Sequence, residues 1–229
     1  QGASATQGDT RKAQHDHSWR QKARRYYILL KMKRVLYVLI LLAIVLGWRD
    51  WAQREIVHLP GVLVPDAPRQ STLASGQPFQ LQGYRLSPRA AFEIRARVLS
   101  RENYRWDEGA DLAPIDLALG WGVMSDQSVL DRIDISQGSR WYYTRYEYPA
   151  PLPERDIIRH SGNMHMVPAS PLVRERLQQI RRGHIIRARG YLVDADGESG
   201  FRWQTSLSRE DTGGGACELF YVERIEIEE

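Results

Sequence analysis

The chain has 229 residues, 42% apolar and 26% charged, a balance that excludes both wholesale disorder and a multispanning membrane protein. Its single cysteine, Cys217, excludes an internal disulfide framework and an all-thiolate zinc site. The net charge of +4 is unevenly spread: residues 1–34 hold nine Lys/Arg, all four lysines among them, against Asp9 and Asp16, so the remainder is mildly acidic.

Residues 1–34 are polar and basic without periodicity, and read as a disordered cytoplasmic tail. Residues 35–48 follow without a charge, ten of the fourteen being Val, Leu or Ile. A helix of that length spans about 21 Å, short of a hydrocarbon core of about 30 Å. Basic residues at 31, 33 and 34 can snorkel, and Trp48 and Trp51 suit the far interface, so the expected transmembrane anchor is 35–51. Val35, Leu39, Leu42, Leu46, Trp48 and Trp51 are its membrane-anchoring residues. The excess of positive charge before the span places the N-terminus in the cytoplasm and the rest outside, in a two-membrane bacterium the periplasm. Lipid is then the first expected partner.

Residues 52–76 contain Pro60, Pro65 and Pro68 and read as an extended spacer. Residues 77–229 form the expected folded domain. It is mainly β (α+β), a small OB/SH3-like barrel or sandwich. Alternation marks strands at 79–84, 92–98, 141–148, 185–193 and 219–227. In the last of these Leu219, Tyr221, Ile225 and Ile227 share a face. Asp196-Gly197 supplies a turn, and 201–207 can pair back across it. One helix is well specified near 171–182: Ser170 caps it, Pro171 opens it, and Leu172, Val173, Leu177 and Ile180 make its apolar stripe. A weaker helical stretch runs through 128–133. Gly190 suits a sharp bend in a barrel strand.

Three constellations could carry chemistry. In 160–168, Asn163 and His165 are two apart and face one way in a strand, with His160 opposite unless Gly162 bends the chain. His160, Asn163 and His165 are the catalytic candidates. Two imidazoles near an amide could hold a divalent metal, with Asp116, Asp156 or His184 as a third ligand, although no cofactor follows from the spacing. The stretch 206–217, with three glycines and Cys217, reads as a mobile loop. Arg174, Arg176, Arg181, Arg182, Arg187 and Arg189 fall within sixteen residues and are the partner-binding candidates. Outside the cytoplasm they suit a protein or another anionic envelope partner rather than nucleic acid. Arg140-Trp141-Tyr142-Tyr143 could join that surface.

The functional expectation is a single-pass anchored protein presenting a binding domain, a subunit of an envelope complex, with homo-oligomerisation left open. The alternative is a membrane-tethered hydrolase, metal-assisted, that uses the His/Asn loop.

Overall fold

The computed structural model describes residues 31–48, 54–208 and 217–228. The chain divides into two compact units, 1–53 and 54–229. In the first, residues 31–48 are helical (α1), with every side chain exposed, Val35, Leu39, Leu42, Leu46 and Trp48 included. Among the described residues no helix is long and apolar enough to cross a membrane. Lys31, Lys33 and Arg34 lie at the N-terminal end of the described part of α1, and Trp51 lies outside the described residues.

The second unit is mostly β with a few helices. Its strands are β1 (Arg69–Thr72), β2 (Phe79–Leu81), β3 (Tyr84–Asn103), β4 (Ile115–Gly120), β5 (Asp134–Gly138), β6 (Trp141–Arg145), β7 (Ser161–Pro168), β8 (Ile185–Asp196), β9 (Arg202–Trp203) and β10 (Glu218–Glu228). Between them lie α2 (Gln127–Leu130), α3 (Glu154–Arg159) and α4 (Pro171–Gln179). The alternation that marks Phe92 to Val98 is real pleat: Phe92, Ile94, Ala96 and Val98 are all buried. Register shifts at 88/90 and 98/100 bend this long strand, so β3 pairs β8 along one edge and β1 then β4 along the other. The pairing path β3-β4-β7-β10-β8 therefore returns to β3, antiparallel throughout except between β7 and β10. β5 and β6 form a separate two-stranded ribbon.

The core follows from these pairings. Met164, Met166, Phe220, Val222 and Ile225 meet Phe92 and Ile94, with Val173, Leu177 and Ile180 of the α4 segment against them. Leu172, expected in the stripe, is exposed instead. Helix α4 ends at Gln179 rather than 182, because Ile180 is already extended. The face predicted for the last strand is also corrected. A register shift between Val222 and Arg224 flips the alternation, so Phe220 and Val222 share a core with Ile225, while Leu219 and Tyr221 face a second cluster. Gly190 sits opposite this irregularity, where any Cβ would collide with the Tyr221 carbonyl.

Residues 56–72, within the segment read as an extended spacer, pack on the body. Val64 is fully buried, and β1 pairs β3. Ser125 Oγ accepts the N–H groups of Leu63 and Val64 at 3.1 and 3.0 Å, Asp126 that of Gly61 at 3.0 Å, and Gln127 Oε1 that of His58 at 3.0 Å. Buried Arg97 braces this clasp, donating to Ser125 O at 3.2 Å and to Gln127 Oε1. The prolines of this segment exclude regular helix; they carry no information about what the chain lies on.

Candidate functional site

Strand β7 separates core from chemistry by parity. Met164 and Met166 point into the main core, whereas Asn163 and His165 point the other way, as the spacing predicts. Next to β7 in the sheet, β4 places Asp116 opposite His165 in register. Asp116 is completely buried, and a buried carboxylate requires partners. It has two. Oδ1 accepts from Arg140 Nη1 at 2.8 Å, and Oδ2 lies 2.9 Å from His165 Nδ1. The second contact is an ion-pair approach rather than an aligned hydrogen bond, since neither atom meets the directional requirement. His165, with Nδ1 turned to Asp116, also lines the adjoining pocket.

Arg140 is the hub. It lies at the β5–β6 turn, where Ser139 and Arg140 take positive φ of 51° and 68°, a conformation that costs non-glycine residues energy and gathers at functional sites. The turn folds the guanidinium back over the sheet. Its Nε donates to Asp107 Oδ2 at 2.6 Å and its Nη1 also donates to Ala113 O at 2.8 Å. Its charge lies over the Tyr104 ring at 3.8 Å and near that of Trp203 at 5.2 Å. The Arg140 N–H donates to the Tyr104 hydroxyl at 2.9 Å, and its carbonyl accepts from Asn163 Nδ2 at 3.1 Å. Burial pushes the Tyr104 hydroxyl up to about 12, so it stays neutral at ordinary pH. Gln137 donates to Asn163 Oδ1 at 2.6 Å.

Over this floor opens a cavity of about 540 Å³, lined by His165, Arg140, Trp141, Phe201, Trp203, Glu108, Gln204 and Cys217 among others. Trp203 packs against His165 in a tilted arrangement, centroids 4.6 Å apart and planes at 52°. Cys217 Sγ is 3.8 Å from both Asn163 Nδ2 and Arg140 O. The positive charge is locally offset: Arg140 by Asp107 and Asp116, Arg202 by Asp196 at 3.4 Å.

The sequence candidates divide accordingly. Asn163 and His165 belong to the site, and of the three suggested companions Asp116 joins them. His160 does not; its Nδ1 is 2.8 Å from Asp156 O, and its ring fills the space where Gly122, at φ +50°, lacks a Cβ. His184 Nδ1 instead accepts the Arg181 N–H at 3.0 Å, and burial, with Arg181 and His58 adding, lowers its pKa. Among the described residues no group of three or more His, Cys, Asp or Glu converges as a metal site would require. The arginines are spread along α4, the turn after it and β8. Arg182 pairs with Glu55 at 3.1 Å, and Arg187 with Glu228 at 3.4 Å and Glu93 at 3.6 Å. Arg174 donates to Asp111 O at 3.2 Å and Arg176 to Gln179 at 3.3 Å, while Arg189 lines a shallow groove beside Glu93. Residues 209–216 of the glycine loop lie outside the described residues. Asp107, Tyr104 and Trp203 join the site without a motif to mark them; only the aromatic content around 201–203 hints at one of them. Comparison with known protein families, curated proteins and solved structures finds no match.

Proposed function

We propose that residues 54–229 are a binding module, carried outside the cytoplasm by a membrane anchor at about 35–51, with the Arg140–His165 pocket as its ligand seat. One observation carries the reading: an aromatic-walled cavity whose polar floor is prearranged by a fully buried carboxylate. The closed circuit of five strands, with α4 between its third and fourth, supports an OB-type barrel. In such barrels ligands lie across the second and third strands, between the loops after the first and fourth. Here those strands are β4 and β7, and those loops carry Glu108 and Trp203. Because the acids offset Arg140 and Arg202, the seat suits a polar ligand with a flat apolar face better than a polyanion such as nucleic acid. The uncharged run behind a basic flank supports the anchor and its orientation.

The one cysteine supplies a test that works before the ligand is identified. Fractionated envelope extract is added to the full-length chain and alkylation of Cys217 is timed. One fraction should slow it at least severalfold, and Trp141→Ala should abolish that protection. If no fraction protects, the pocket is not a ligand seat. Protease added to intact spheroplasts should digest the body; digestion only after lysis reverses the orientation. A thiol-dependent hydrolase is the second reading, favoured by His165, backed by Asp116, lining the same pocket as Cys217. It requires alkylation of Cys217 and His165→Ala each to abolish turnover of an ester probe.

A further inference from the structure

Away from the pocket, the segment that opens the body shows an unusual surface. Val57 and Leu59 are 70% and 84% exposed, and Tyr148, beyond the β5–β6 ribbon, is 87% exposed. Val57 and Tyr148 line one broad groove of about 810 Å³, together with Arg132, Arg145 and Arg182. Loose chain does not explain this exposure. The amides of His58, Gly61, Leu63 and Val64 are held by the 125–127 clasp, and the Ile56 N–H donates to Arg182 O at 3.0 Å. Two apolar side chains are thus held outward by a segment whose neighbour Val64 is entirely buried.

We propose that this end of the body, Val57, Leu59 and Tyr148 with the surrounding arginines, seats in the headgroup layer of a lipid bilayer. Val57 and Tyr148 share this groove with the three arginines, and an aliphatic side chain, a tyrosine and arginine together are a mixture that the membrane interface favours. A clustered, rigidly presented apolar surface otherwise marks a partner site. Lipid is the occupant because the patch begins at the residues of the body nearest in sequence to the run 35–48, which rests on the anchor reading above. The groove also holds Glu55, Asp131, Asp134 and Glu147, which offset its arginines. Seating therefore depends on apolar insertion rather than net charge, and should occur on zwitterionic lipid with little dependence on salt.

The test uses the full chain in phosphatidylcholine vesicles. Cys217→Ser removes the native thiol, and an environment-sensitive fluorophore is placed on Leu59→Cys or on Glu198→Cys, the latter at the far end of β8. The label at 59 should shift to the blue, lose severalfold accessibility to iodide and be quenched by lipids labelled near the headgroup. The label at 198 should remain as in water. Water-like behaviour at both positions in a chain that resists alkaline extraction overturns the seat and leaves the anchor standing. Equal shielding at both positions overturns it as well, since the contact is then not confined to this end. Release of the chain by alkaline extraction removes the anchor and this proposal together.

Discussion

Two arginines lie against the sheet of the body, and their surroundings differ. Arg97 is buried among neutral oxygens, the Ser125 carbonyl and the Gln127 amide, and burial lowers its pKa from the ordinary value. Arg140 is partly open and held by two carboxylates, Asp107 and Asp116. A buried cation among carbonyls fixes backbone; here it braces the strap of residues 56–64. A cation gripped by carboxylates at the edge of a cavity keeps its face available while its position is fixed. The two sites show how one residue type serves architecture in one place and recognition in another.

The largest effect should come from removing what makes Arg140 a fixed cation. Asp116→Ala leaves the Arg140 and His165 contacts uncompensated and should cost about 3–5 kcal/mol in urea unfolding. A loss below about 1 kcal/mol would erase the distinction between the two sites. Next, Arg97→Met should cost roughly 1–3 kcal/mol by removing the donor to the Ser125 carbonyl and one of the two donors to Gln127 Oε1. Its signature is local: hydrogen exchange should quicken at the amides of His58 and Val64 while ligand protection of Cys217 is unchanged. Unaltered exchange there would mean that Arg97 does not brace the strap.

Alkaline pH sharpens the comparison, because Tyr104 belongs to the Arg140 site and Tyr142 to the ribbon that carries it. Burial, first among the causes, raises both from about 10 to about 12. A raised folded-state pKa contributes stability that is present below pH 10 and lost as pH climbs through 12. The urea midpoint should fall across that window, and less steeply in Tyr142→Phe; a flat profile contradicts the burial of these hydroxyls. Ser170→Ala removes the cap that accepts the Val173 N–H at 3.3 Å and should cost about 1 kcal/mol. Arg187→Ala, on an exposed ion pair, should stay within about 0.5 kcal/mol.

Strands β2, β3, β6, β8 and β10 and helix α4 were legible because period-two alternation and a Ser-Pro start report local geometry directly; β4, apolar at nearly every position, and β7 were not. Parity likewise put Asn163 and His165 on one face. What remained hidden depended on non-local facts. The bulge at Glu223 exchanges the faces of β10, and 219–222 is apolar at every position, so the run does not say which parity faces which cluster. The strap was invisible because Val64 looks like any apolar residue between prolines until Ser125 and Asp126 are seen against it. Arg140 was hardest to place. Its position arises from positive φ at Ser139 and Arg140, residues that no turn rule would select for that conformation.

The clasp on the strap also has an order in time. Residues 56–64 leave the ribosome before any group that holds them. Ser125 lies 61 residues beyond Val64, Gln127 lies 69 beyond His58, and Gly183, whose carbonyl contacts the His58 ring, lies 125 beyond it. During synthesis the slot for Val64 does not yet exist, so the first segment of the body to be made is among the last that can settle. Until β8 begins, Val64 is exposed with its apolar neighbours, and a nascent chain stalled before residue 183 should be a better chaperone substrate than one released after it.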